Sequence, residues 1–127
     1  MILKIMIRVG LIVPANNVAM EYDMYRLSPD NINFHSTRMR PSKGYEPEDP
    51  EKFRRELTET YNLLRNVSDI VVYWRTYGTH KNIDIINNVI RKKLIIPEPA
   101  VMDYLRDNNI NKMFILLYSM FLYLVYC

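Results

Sequence analysis

Short runs of apolar residues recur along the chain, and each of them predicts a β-strand. The first covers residues 1–13 and closes with a continuous apolar run at 9–13 that Pro14 ends. A run without polar interruptions is typical of a central parallel strand that is buried on both faces. Residues 32–37 alternate between apolar and polar positions, as a half-buried strand does. Further strands are predicted at residues 69–74, 94–96 and 113–117.

Between these strands, apolar residues return at helical spacing. The clearest helix begins at Asp49, where a capping carboxylate precedes Pro50, and it continues to about Asn66. Other helices are predicted at residues 18–27, which Asn16 or Asn17 can cap, at 83–93 and at 99–108. Three basic residues, 91–93, would lie at the negative end of the helix dipole of 83–93. The alternation predicts an α/β fold, a three-layer sandwich with a mostly parallel sheet of five strands and helices on both faces.

The composition is that of a globular protein. Of the 127 residues, 49% are hydrophobic and 24% are charged, and the formal net charge is +3, with basic and acidic residues interleaved. We therefore expect no nucleic-acid partner. The single cysteine, Cys127, allows no internal disulfide, and nothing at the start resembles a cleaved signal, so we expect a cytoplasmic protein. Because no glycine-rich nucleotide loop and no cysteine cluster is present, we expect no cofactor and no metal.

Polar residues gather in the loops that follow the predicted strands. In an open α/β sheet these loops meet at the carboxyl ends of the strands, where ligands bind. Arg75, Thr76 and Tyr77 follow the third strand, and we expect them at the mouth of a small site, with Arg38 and Arg40 after the second strand. Guanidinium groups, hydroxyls and free N–H groups at helix starts favour an anion, such as a small carboxylate. The alternative is that these residues are ordinary caps and surface arginines.

The segment from Gly10 to Glu21 has the spacing Gly-x-x-x-Pro-x-x-Asn-x-x-x-Glu. Together with Arg-Met-Arg at 38–40 and Tyr-Trp-Arg-Thr-Tyr-Gly-Thr at 73–79, it resembles the aspartate/glutamate racemase superfamily, closest to its maleate isomerase and arylmalonate decarboxylase branch. The resemblance covers roughly residues 8–116. It implies a flavodoxin-like domain of a cofactor-independent isomerase, racemase or decarboxylase that acts on small dicarboxylates. Family enzymes have two such domains with the active site in the cleft between them, and this chain would be the first.

The resemblance also implies roles for single residues. Asn17 matches an asparagine that binds a substrate carboxylate, and Thr76, with Tyr77 beside it, matches a threonine or serine that binds the same group. Arg75 stands where racemases and maleate isomerases carry the first catalytic cysteine. Because arginine stays protonated, it could not act as a base or nucleophile and would only bind an anion. Tyr118 would stand in for a ligand tyrosine of the family, although the proline of that loop is missing.

The last part of the chain departs from the family. We expect the racemase-like domain to cover residues 1–117 and residues 118–127 to be an apolar tail, left by a truncation or a change of reading frame. With an arginine at position 75 and no second domain, the chain alone would be inactive. An alternative is a non-catalytic carboxylate-binding module or relic, completed by a partner chain or by self-association through the exposed interdomain face. A membrane anchor is the third alternative, but a helix of the uncharged residues 113–127 would be only about 22 Å long, short of a bilayer core of about 30 Å.

Overall fold

Strands and helices alternate in the computed structural model, which describes residues 5–40, 49–75, 79–110, 114–118 and 121–125, with 79–80 and the last two ranges described by their backbone alone. The first eight elements are β1 (Ile7–Pro14), α1 (Met20–Leu27), β2 (Ile32–Met39), α2 (Pro50–Leu64), β3 (Ile70–Tyr73), α3 (Thr79–Val89), β4 (Lys93–Ile95) and α4 (Pro97–Asp107). Two further strands follow, β5 (Phe114–Tyr118) and β6 (Phe121–Val125). The predicted α/β class is therefore confirmed.

Strand β1 lies inside a four-stranded parallel sheet with the strand order β2-β1-β3-β4. Ile12 pairs with Thr37 of β2 on one side and with Tyr73 of β3 on the other. All five residues at 9–13 are buried, as expected for a strand with neighbours on both sides and layers on both faces. The prediction of a central parallel strand is confirmed, and the carboxyl ends of β1, β2 and β3 lie side by side.

Alternate residues of β1 enter two separate hydrophobic cores. Leu11 and Val13 pack with α1 residues on one face of the sheet. Ile12 packs on the other face with residues of α2 and α3, namely Phe53, Leu57, Tyr61, Leu64, Ile86 and others. Helices therefore cover both faces, as the three-layer prediction requires.

The start of α2 follows from its local sequence. The Asp49 carboxylate accepts hydrogen bonds from the backbone N–H groups of Glu51 (2.9 Å) and Lys52 (3.4 Å), and Pro50 occupies the first helical position. Because the first N–H groups of a helix have no partner within it, this cap stabilises the predicted start. The prediction is confirmed at this end, and the helix ends two residues earlier than expected, at Leu64.

Helix α3 begins and ends earlier than predicted. It covers Thr79–Val89, so that Lys93 begins β4 and residues 91–92 lie outside the helix. The prediction that the basic residues 91–93 form the last turn of this helix is therefore wrong. The Lys92 ammonium instead donates to the backbone carbonyl of Ser68, just before β3, and this contact depends on the tertiary fold.

The chain divides into two compact units, Met1–Pro97 and Glu98–Cys127. The second unit contains most of α4 and a two-stranded antiparallel sheet, in which Tyr118 of β5 pairs with Phe121 of β6. The prediction of a fifth parallel strand is therefore wrong, because two adjacent β-prone segments joined by two residues pair locally as a hairpin. The domain boundary at residue 117 stays a prediction. No helix in the described part of the chain has the length and apolar character needed to cross a membrane.

Candidate carboxylate-binding site

The loop between β1 and α1 holds the Asn17 side chain in one orientation. The Asn17 Oδ1 accepts hydrogen bonds from the backbone N–H groups of Ala19 (3.2 Å), the N-cap residue of α1, and of Met20 (3.0 Å), its first residue. Of the two predicted caps, Asn16 and Asn17, it is therefore Asn17 whose side chain binds the start of the helix. The backbone N–H of Asn17 donates to the Pro14 carbonyl at 3.0 Å, which closes the turn after β1. Because both side-chain bonds use the amide oxygen, the amide nitrogen can donate to a ligand.

Arg38 of β2 holds the same loop from the neighbouring strand. Its Nη1 donates to the backbone carbonyls of Asn17 (2.8 Å), Ala15 (3.2 Å) and Pro14 (3.5 Å). Its Nη2 forms an ion pair with the carboxylate of Glu21, in the first turn of α1. The guanidinium that we expected in an anion site is therefore bound to protein acceptors.

Arg75 is buried, with only 6% of its surface exposed. Its Nη1 lies 3.9 Å from the Met39 sulfur at the end of β2, and its guanidinium carbon lies 5.9 Å from the centre of the Phe53 ring of α2. Because β1 lies between β2 and β3, a side chain that follows β3 must cross the end of β1 to reach Met39. Arg75 is therefore enclosed over the end of the central strand, and its role as an anion ligand stays a prediction.

Asn17 and Arg75 both lie at the carboxyl ends of the strands, but their contacts belong to opposite faces of the sheet. Helix α1, which Asn17 caps, packs on the face that carries Leu11. Phe53, which contacts the Arg75 guanidinium, belongs to the core on the other face. The fold thus brings the two residues to the end of β1 without placing them on one face.

The structure describes the remaining predicted site residues only in part or not at all. Thr76 and Tyr77 lie outside the described residues. Tyr118 is the last residue of β5, in the second unit, and its side chain is not among those described. Within the described ranges, no three His, Cys, Asp or Glu side chains come together in a way that could hold a metal ion.

A second ion pair joins β1 to the start of β3 at the amino-terminal ends of the strands. Asp69 accepts hydrogen bonds from Arg8 Nη2 (2.6 Å), Arg8 Nε (3.2 Å) and the Arg8 backbone N–H (3.0 Å). These hydrogen bonds, with the positive charge of the guanidinium, lower the pKa of Asp69 to about 2. The pair stabilises the sheet away from the candidate site.

Sequence reasoning missed the pairing of Arg38 with Glu21, although both residues belong to the segments that carry the family resemblance. A signal was available, because parallel pairing places the end of β2 beside the loop that follows β1. The carbonyl groups of such a loop need donors, and an arginine can supply several at once. What the sequence did not contain was the register that selects Arg38 rather than Arg40.

Comparisons with known proteins agree with the fold. No protein-family model matches the sequence, and no curated protein matches it. A solved structure of a cysteine-to-serine variant of the Nocardia farcinica maleate cis-trans isomerase, with a covalently bound succinylcysteine intermediate, is 22% identical with a TM-score of 0.57. The same isomerase bound to Tris is 21% identical with a TM-score of 0.55. Both matches cover 82% of this chain and 49% of the isomerase chain.

The chain thus spans about half the length of these isomerases. The resemblance that residues 10–21 indicated is confirmed at the level of the fold, which is what a likeness at this identity establishes. This chain has the α/β fold of about half of a maleate cis-trans isomerase.

Proposed function

We propose that this chain binds a small dicarboxylate at the carboxyl ends of its parallel strands, as one half of an isomerase-type site. The observation that carries the proposal is the orientation of Asn17, whose amide oxygen is engaged by α1 while its amide nitrogen can donate. A carboxylate needs such donors, and the positive end of the α1 dipole beside Asn17 adds attraction. Maleate is the first ligand to test, because the two solved structures compared above are maleate isomerases.

The same proposal predicts binding without turnover by the chain alone. The solved variant of the Nocardia farcinica isomerase contains a covalently bound succinylcysteine intermediate. If the family resemblance of the sequence holds at this position, Arg75 stands where those enzymes carry the first catalytic cysteine. A guanidinium is protonated at every physiological pH and supplies no nucleophile and no base. The single cysteine of the sequence is Cys127. Isomerisation, racemisation or decarboxylation would therefore need groups from a partner chain or a second domain.

A calorimetric titration of the chain with maleate tests the binding, with acetate as the monocarboxylate control. The decisive variant is Asn17→Asp, because its carboxylate can still cap α1 and suits the helix N-terminus, whereas it repels an anionic ligand. We expect this variant to keep the melting temperature of the wild type and to lose maleate binding. Asn17→Ala serves as the comparison that also removes the cap, at about 0.5–2 kcal/mol of stability.

Two results would reject the proposal: no maleate binding by the wild type, or equal binding by Asn17→Asp. Arg75→Met examines the second predicted ligand, because methionine suits the contacts with Met39 and Phe53 and removes the charge. We expect it to weaken maleate binding. Proton NMR of maleate incubated with the chain should show no fumarate, and turnover by the chain alone would refute the non-catalytic assignment.

A second candidate is a site that a partner chain completes. Val18, directly after Asn17, has 80% of its surface exposed, and Tyr22 of α1 is exposed as well. Exposed apolar side chains beside a ligand-binding loop favour association. Light scattering with and without maleate tests whether that partner is a second copy of this chain, and a monomer at high concentration under both conditions would reject such self-association.

A further inference from the structure

Arg38 joins three parts of the structure that meet at Asn17: strand β2, the loop after β1, and the first turn of α1. Three backbone carbonyls and the Glu21 carboxylate accept hydrogen bonds from its guanidinium. We propose that Arg38, itself held by Glu21, is a positioning residue that keeps the Asn17 amide in its ligand-binding orientation. The inference rests on the carboxylate-binding role proposed above for Asn17.

The peptide groups of the loop explain how this positioning works. In a trans peptide the C=O and N–H bonds point in opposite directions. Arg38 binds the carbonyls of Ala15 and Asn17, so the N–H groups of the next residues, Asn16 and Val18, point away from the guanidinium. The first of these peptide planes ends at Asn16 and the second begins at Asn17, and the plane between them is held by the Asn17 N–H, which donates to the Pro14 carbonyl at 3.0 Å. With all three planes held, two of them by Arg38, the Asn17 side chain leaves the loop in the direction that binds the start of α1 and presents its amide nitrogen.

Arg38 acts through Asn17 and does not bind the ligand itself. Its Nη1 is shared among three carbonyls, the nearest of which is that of Asn17 at 2.8 Å. Its Nη2 faces the Glu21 carboxylate, whose negative charge would repel an anion brought to the same guanidinium. The donors of this arginine are therefore used to shape the loop.

The chain offers a matched control in Arg8. Arg8 and Arg38 are similarly exposed arginines, each in an ion pair and each in a strand of the same sheet. Arg8 pairs with Asp69 at the amino-terminal ends of the strands and does not contact the loop that carries Asn17. Loss of either arginine removes an ion pair, but only loss of Arg38 releases the loop.

The test is a calorimetric titration with maleate of the wild type and of the Arg38→Ala, Arg38→Lys, Glu21→Ala and Arg8→Ala variants, with melting temperatures measured in parallel. We expect Arg38→Ala to raise the Kd for maleate at least about tenfold, because the loop loses charge-assisted hydrogen bonds. Arg38→Lys should restore part of the affinity, since an ammonium reaches fewer of the four acceptors at once. Arg8→Ala should bind maleate as the wild type does, whatever its melting temperature.

The outcomes separate this inference from the proposed function. If Asn17→Asp abolishes binding while Arg38→Ala keeps wild-type affinity, the inference is overturned and the proposed function stands. Equal losses of affinity in Arg8→Ala and Arg38→Ala would indicate a general effect of stability and would also overturn it. If Arg38→Ala does not fold, Glu21→Ala decides, and wild-type affinity in that variant overturns the inference. A wild type that does not bind maleate removes the proposed function, and this inference falls with it.

Discussion

Replacing Gly10 by alanine should destabilise the fold, because a side chain at this position of β1 meets the segment that joins α2 to β3. A Cβ on Gly10 would lie 3.0 Å from both the Cβ and the Oγ of Ser68, and 3.2 Å from Leu64 Cδ1. Favourable contacts between carbon atoms lie at about 3.5–4.0 Å. The neighbours would therefore have to move by several tenths of an ångström.

Ser68 is held too firmly to give way at low cost. It is fully buried, its Oγ donates to the Leu64 carbonyl at 2.8 Å, and its backbone N–H donates to the same carbonyl at 3.1 Å. Overpacking of a well-packed core costs about 1–3 kcal/mol. In a domain of about 60–100 residues, each kcal/mol lowers the melting temperature by about 4–8 °C. We therefore expect Gly10→Ala to melt at least about 4 °C below the wild type.

The assay is a double-mutant cycle of Gly10→Ala and Ser68→Gly, measured by urea denaturation. Ser68→Gly removes both of the contacted Ser68 atoms, so the double variant should lose less stability than the sum of the single losses, with a coupling of about 0.5–3 kcal/mol. Ser68→Ala is the control, because it keeps the Cβ and should relieve less of the overlap. Wild-type stability of Gly10→Ala, or strictly additive losses, would refute the close approach of β1 and Ser68.

Two further predictions concern the edge and the core of the first unit. Asp69→Asn removes a carboxylate whose pKa Arg8 lowers from 3.8 to about 2. The ionised carboxylate stabilises the fold above its unfolded pKa, and this stabilisation is lost as the pH falls toward its folded pKa. The variant should therefore melt below the wild type at neutral pH, and the two melting temperatures should converge between about pH 4 and pH 2. A difference in melting temperature that stays constant with pH, measured by circular dichroism, would contradict this. Leu57→Ala, at a fully buried position of α2, should cost about 2–5 kcal/mol in urea denaturation. Leu63→Ala, in the same helix but 71% exposed, should change stability by less than about 0.5 kcal/mol, and equal losses would show that α2 packs through another face.

Much of the first unit could be predicted because its signals are local. The apolar run at 9–13 can be buried on both faces only as a central strand, and the cap at Asp49 starts α2 whatever surrounds it. The bounds of α3 could not be predicted in the same way. Its C-terminal boundary depends on where β4 must begin in order to pair with β3, and the basic residues at 91–93 do not predict that register.

The candidate site shows the same difference between features with local signals and features that depend on strand register. The sequence by itself determined the α/β class, the central position of β1 and a cap for α1 at Asn16 or Asn17, because hydrophobic periodicity and helix capping depend on neighbouring residues. Only the tertiary structure decided that the Arg38 guanidinium binds the loop after β1 and that Arg75 is enclosed against Met39. These contacts join residues more than twenty positions apart, and strand order and register, which no local pattern encodes, determine which acceptors each guanidinium reaches.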